Sequence, residues 1–127
     1  MLDLLDRYAR TIQREDLDHD RETWLKARAA LEVAAQCAID LALEIVARRG
    51  LGAPQTYREA FTLVAGAGVI DAALADDLSK WAGLRNILVH VYTTLDLDAV
   101  HRALGETAPL RKFQAIAARE RSAQTPA

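Results

Sequence analysis

Apolar residues recur at helical spacing along almost the whole 127-residue chain, and no stretch alternates as a strand would. The first such stretch predicts a helix over Leu2–Glu15, and the acidic cluster EDLDHDRE at residues 15–22 predicts a turn after it. Asp20 in that cluster is a suitable N-cap for the next helix. The apolar positions of the first helix are Leu2, Leu5, Tyr8, Ala9 and Ile12.

The longest predicted helix spans Arg21–Arg49 and is apolar on more than one side. It should therefore be contacted by several other helices. Gly50 and the nearby Pro54 are typical of a helix end. One apolar stripe contains Trp24, Leu31, Ala34, Ala35, Ala38, Leu41, Ala42 and Ile45, and a second set contains Val33, Cys37 and Val46.

TYRE at residues 56–59 matches a capping box, with Thr56 as N-cap and Glu59 as the reciprocal acid. The short helix that follows should end near Gly66 or Gly68.

Asp71 begins the next predicted helix, whose apolar positions are Leu74, Leu78, Trp81, Leu84, Leu88 and Val91. A break over Thr93–Asp96 precedes a last helix that runs to about Arg119, and residues 120–127 read as a disordered tail. The sequence therefore predicts an all-α fold, an antiparallel bundle of four to five helices formed by residues 1–119.

Composition narrows the class of protein without fixing a function. The chain is 51% hydrophobic and 27% charged with a formal net charge of −2, which is typical of a globular protein and gives no overall attraction to nucleic acid. The one cysteine, Cys37, cannot form an internal disulfide and is expected to be a small buried side chain in a cytosolic protein. We expect no signal peptide, because the N-terminal residues carry acidic side chains and lack an apolar core region, and no apolar run is long enough to cross a membrane.

We expect no metal site. The chain has no pair of cysteines, and its three histidines, His19, His90 and His101, lack the spacing of metal ligands on one helix face. His101 is expected to be a solvated surface residue.

The stretch GLRNILVHVY, residues 83–92, concentrates polar side chains in an otherwise aliphatic helix. Asn86 and His90 are four residues apart and share a helix face, and the long side chain of Arg85 can reach toward them. Tyr92 follows near the end of the predicted helix. Spacing alone leaves two interpretations open, because buried Arg and His side chains often only satisfy neighbouring carbonyls or carboxylates.

RNILVHVY reproduces the R-N-x-x-x-H-x-Y pattern of HepT-like toxins, a branch of the HEPN superfamily of small helical ribonucleases. The similarity extends over roughly residues 1–119. The segments CAIDLALEIVARRGLGAPQTYREAFTLVAGAGVI and LSKWAGLRNILVHVYTTLDLDAV resemble the long helix, the Gly–Pro turn and the motif-bearing helix of that family.

The resemblance implies metal-independent RNA cleavage without a cofactor, with Arg85 and His90 as catalytic residues and Asn86 orienting His90 or binding phosphate. It also implies a homodimer with a shared cleft. Residues 80–121 hold seven Lys/Arg against four acids, so that cleft would be electropositive. The family's typical partner is a minimal nucleotidyltransferase antitoxin, which can attach AMP to the tyrosine that corresponds to Tyr92. The alternative is a non-catalytic helical module that binds a nucleotide or a protein.

Overall fold

Seven helices account for most of residues 2–89 and 97–124, the parts of the chain that the computed structural model describes. They contain no strand, which confirms the all-α class. The number of helices exceeds the predicted four to five because the first and last predicted helices are each interrupted. The helices are α1 (Leu2–Thr11), α2 (Arg14–His19), α3 (Arg21–Arg49), α4 (Tyr57–Gly66), α5 (Ala72–Val89), α6 (Leu97–Leu104) and α7 (Ala108–Gln124).

The acidic cluster that predicted a turn is mostly helical instead, because it forms α2. Glu15 and Asp16 lie in the first turn of α2, where negative charge is favourable, and the Asp16 carboxylate accepts the Gln13 N–H at 2.9 Å. Asp20 follows as the N-cap of α3, as predicted. Its Oδ1 accepts the N–H groups of Glu22 and Thr23 at 3.1 and 3.3 Å.

Helix α3 is the centre of the bundle and packs against each of the other six described helices, as its broad apolar surface predicts. Its buried positions are largely alanines, which let neighbouring helices approach closely. Gly50 ends the helix in a left-handed conformation with a φ of 62°. Two predicted interior positions are wrong: Val33 is 45% exposed, and Cys37 is exposed because it lies on the outer side of α3.

Helix α4 begins at the predicted cap, where Thr56 Oγ1 accepts the Glu59 N–H at 3.1 Å. The reciprocal bond is shifted by one residue, since the Glu59 carboxylate accepts the N–H of Gln55 at 2.6 Å rather than that of Thr56. The helix ends at Gly66, and Gly68 turns the chain with a φ of 80°. Asp71 then accepts the Leu74 N–H at 2.7 Å at the start of α5.

The predicted last helix is two helices separated at residues 105–107, and the predicted break over 93–96 lies outside the described residues. Helix α7 continues to Gln124, so residues 120–124, expected to begin a tail, are helical. Two bidentate ion pairs join this end of α7 to α3. Arg49 donates to Glu120 at 2.8 and 2.6 Å, and Arg121 donates to Glu44 at 3.0 and 2.8 Å.

Candidate active site

Arg85 lies at the end of the buried face of α5. The largest buried side chains of this helix are Leu74, Leu78 and Trp81, and Ala82 is fully buried beside them. Arg85 follows Leu78 by seven residues and Trp81 by four, so helical periodicity places it on the same face. It is half-buried. A core position of α5 is therefore occupied by a guanidinium at the point where the face begins to open to solvent.

The other motif residues are described only in part. Asn86 belongs to α5 by its backbone, whereas His90 and Tyr92 lie outside the described residues. The convergence of Arg85, Asn86 and His90 on one ledge therefore stays a prediction. The structure does show that the motif begins within a packed helix and not in a loop.

Trp81 fixes the second half of α5 against the junction of α6 and α7. Its indole is 5% exposed, and Nε1 donates a hydrogen bond to the Glu106 carbonyl at 2.8 Å. Because the acceptor belongs to the turn before α7, this bond sets the distance between the motif helix and that turn. Sequence reasoning counted Trp81 only as an apolar stripe residue, since nothing in the sequence identifies a carbonyl acceptor 25 residues away.

An open groove of about 610 Å³ lies beside this anchor, on the side of α5 that carries Leu84. Lys80 and Arg102 contribute positive charge to it, and Asp77 and Glu106 contribute negative charge. Leu84, predicted as part of the apolar stripe, is only half-buried because it lines this groove. The groove is amphipathic and not strongly basic. Its remaining lining residues are Trp81, Ala103, Gly105, Ala108 and Pro109.

The predicted excess of positive charge over residues 80–121 is partly neutralised by acids elsewhere in the fold. Lys80 pairs with Asp76 at 3.2 Å, and Arg121 pairs with Glu44. The third pair joins Arg111 to two acids of α1. Three of the seven bases are thus engaged in ion pairs, which makes the local field weaker than the count from sequence suggests.

The start of α7 is tied to α1 by a small charged network. The Thr107 hydroxyl donates to Asp6 at 2.7 Å, and Arg111 donates to Asp3 at 2.9 Å and also to Asp6. The hydrogen bond from Thr107, and then that from Arg111, lower the pKa of Asp6 below its ordinary value. The pKa of Arg111 is raised, mainly by its hydrogen bond to Asp3. Sequence reasoning missed this network, which joins the start of α7 to α1.

His101 also differs from its prediction as a solvated residue. It is half-buried, and its Nε2 donates to the Ile12 carbonyl at 2.9 Å, which joins α6 to the end of α1. Within the described ranges, no three His, Cys, Asp or Glu side chains are grouped closely enough to hold a metal ion. None of the described helices combines the length and apolar character of a membrane span.

The all-helical bundle and the R-N-x-x-x-H-x-Y pattern at residues 85–92 of the sequence are both typical of HEPN-type proteins. The family model described as ribonuclease HepT-like matches residues 1–117. The chain therefore belongs to the HepT-like family, as its motif predicts.

One curated relative and several solved structures resemble the chain. The mRNA nuclease HepT of Shewanella oneidensis is 44% identical over 70 residues, which is 55% of this chain and 53% of that protein. The matched segment thus spans about half the length of that relative. A structure of the tri-AMPylated S. oneidensis HEPN toxin in complex with MNT antitoxin has a TM-score of 0.76 at 28% identity, covering 97% of this chain and 92% of that one.

A toxin–antitoxin crystal structure with AMP-PNP gives a TM-score of 0.78 at 27% identity and covers 91% of each chain. These relatives are assemblies of a HEPN toxin with its antitoxin, or are described as toxin–antitoxin complexes. They support the bundle architecture over nearly the full length of this chain.

Proposed function

We propose that this chain is the ribonuclease toxin of a toxin–antitoxin pair and cleaves RNA without a metal ion. The observation that carries the proposal is the position of Arg85 on the core face of α5, in a chain that belongs to the HepT-like family and holds the complete motif. A guanidinium is a planar bidentate donor that suits phosphate oxygens.

In the proposed reaction the ribose 2′-hydroxyl attacks the adjacent phosphodiester. His90 accepts the proton of that hydroxyl, since an imidazole titrates near neutral pH. Arg85 stabilises the negative charge that develops on the phosphorane, and Asn86 orients His90 or binds a phosphate oxygen. The bond to the 5′-oxygen breaks as that oxygen takes a proton from an imidazolium. The products are a 2′,3′-cyclic phosphate and a 5′-hydroxyl.

The proposed active form is a homodimer in which two motif helices face one cleft. Two copies of the motif would then be available for the two proton transfers. Lys80, Arg111 and Arg121 are paired with acids within one subunit, which reduces the positive charge that each subunit contributes to the cleft. A two-fold axis would double the charge that remains.

The proposed partner is a minimal nucleotidyltransferase antitoxin, as in the S. oneidensis complex of a HEPN toxin with MNT antitoxin. That toxin is tri-AMPylated, and Tyr92 is the position at which we expect AMP to be attached here. The modification would bring bulk and negative charge to the motif and repel RNA phosphate. Mass spectrometry of the chain co-expressed with its antitoxin should find AMP on Tyr92, and unmodified Tyr92 in an inhibited complex would contradict this route of control.

The decisive test of catalysis is His90→Ala. We expect this variant to lose RNA cleavage and growth inhibition while its helical circular dichroism stays unchanged. His101→Gln is the matched control, because it also removes an imidazole but keeps an N–H donor near the Ile12 carbonyl, and it should retain activity.

Full RNA cleavage by His90→Ala would rule out the mechanism. It would leave the alternative that the chain is a non-catalytic helical module binding a nucleotide or a protein.

A further inference from the structure

Tyr57, the first residue of α4, lies against the motif helix. Its half-buried ring packs on the hydrophobic core, and its hydroxyl oxygen lies 3.5 Å from where a Cβ would stand at Gly83 of α5. Among the described residues this hydroxyl has no hydrogen-bond partner, and Tyr57 as a whole is partly exposed. A phenol oriented by packing thus presents an unused donor at the surface of α5.

Gly83 is an unusual residue for this position. Glycine in a helix interior is less favourable than alanine. An added Cβ would meet the Tyr57 hydroxyl only at an ordinary contact distance, so packing does not require the glycine. The Tyr57 hydroxyl is the nearest described side-chain atom to the space that a Cβ at Gly83 would occupy.

The register of α5 connects this space to the motif. Ser79, Gly83 and Asn86 are spaced by four and three residues, so they share one face of the helix. A groove of about 260 Å³ between α4 and α5 covers the first half of α5 and ends at Arg58 and Ser79, four residues before Gly83. Arg58 is exposed and forms no ion pair with another described residue, while the groove's acid, Asp76, is paired with Lys80.

The geometry points to Tyr57 as an RNA-binding residue that holds the nucleotide next to the scissile phosphate, an inference that rests on the proposed ribonuclease function. Gly83 lies about 5 Å along the helix axis from Asn86, at 1.5 Å per residue, so a group at Tyr57 contacts a neighbouring nucleotide and not the reacting atoms. A phenol is suited to this, because its hydroxyl donates to a phosphate oxygen and its ring edge contacts a base. Arg58, the next residue of α4, supplies positive charge at the end of the neighbouring groove.

The test measures RNA binding separately from cleavage. In a His90→Ala background, fluorescence anisotropy with a short single-stranded RNA gives Kd for Tyr57→Phe and for Tyr8→Phe. Tyr57→Phe keeps the packed ring and removes only the hydroxyl, and it should raise Kd about tenfold, as loss of a hydrogen bond to a charged group does. Tyr8→Phe removes another half-buried phenol, on α1, and should leave Kd unchanged.

A second variant separates binding from folding. Gly83→Ala puts a methyl group beside the hydroxyl, so it should weaken RNA binding while raising thermal stability, the opposite of what a folding defect would do. Unchanged Kd in both Tyr57→Phe and Gly83→Ala would overturn the assignment of Tyr57 while leaving cleavage by the unmutated chain intact. If the unmutated chain does not cleave RNA but Tyr57→Phe still raises Kd, only the proposed catalysis would be overturned. RNA that binds none of the proteins and is not cleaved by the unmutated chain would overturn both.

Discussion

Replacing Trp81 by phenylalanine tests how firmly the motif helix is held against the α6–α7 junction. The exchange keeps an aromatic ring in the core but removes the indole N–H that donates to the Glu106 carbonyl at 2.8 Å. Loss of this hydrogen bond should lower the free energy of unfolding by about 1 kcal/mol. The smaller ring leaves unfilled space at a site that is 5% exposed, which should cost about 1 kcal/mol more.

The expected loss is therefore about 2 kcal/mol in the free energy of unfolding, or about 8 °C in Tm for a chain of this size. Far-UV circular dichroism measures it without depending on the altered fluorescence. Trp24→Phe is the matched control, because Trp24 is half-buried and its indole N–H makes no hydrogen bond to a described residue. This variant should lose less than half as much free energy of unfolding. Equal losses in the two variants would refute the assigned role of the Trp81–Glu106 bond.

Two further predictions concern the network at α1 and the end of α3. The folded-state pKa of Asp6 is lowered, first by the Thr107 hydrogen bond and then by Arg111. The ionised carboxylate therefore contributes fully to stability above the ordinary pKa of 3.8, and this contribution is lost as the pH falls through the folded-state pKa. Thermal melts of Asp6→Asn should hence change less between neutral and acidic pH than those of the unmutated chain, and parallel pH profiles would contradict this. Gly50→Ala should lower the free energy of unfolding by about 1 kcal/mol, because the φ of Gly50 is 62°. Gly66 has no positive φ and equally open space around it, so Gly66→Ala should leave the stability unchanged or raise it. Equal Tm values for the two variants would exclude a backbone cause.

Local patterns in the sequence predict most of the helices and their caps. The N-cap at Asp20, the left-handed end at Gly50 and the cap at Thr56 are correct because each depends on residues within a few positions of one another. The break between α1 and α2 and the break before α7 were missed because both are stabilised by contacts between distant helices. Thr107, for example, is held by Asp6 of α1.

Burial was harder to predict than helix formation. Cys37 and Val33 were expected inside because they extend the apolar pattern of α3, but six neighbouring helices leave the outer side of α3 uncovered. The motif was found by its pattern, whereas the anchoring of Trp81 and the proximity of Tyr57 to Gly83 depend on how α4, α5 and α7 pack. No periodicity in a single sequence reports such contacts.

The position of Arg85 on the core face of α5 has a consequence for how activity and folding evolve together. Arg85 continues the buried face that Leu78 and Trp81 form, and it is itself half-buried. In the proposed function, folding has therefore already restricted part of its conformational freedom before an RNA phosphate binds. The same arrangement means that a mutation deep in the bundle can misalign the cation by a fraction of an ångström without unfolding anything. If the proposed function is correct, variants that remain folded yet lose RNA cleavage should therefore cluster in the motif and also one and two turns before it on α5, at buried residues.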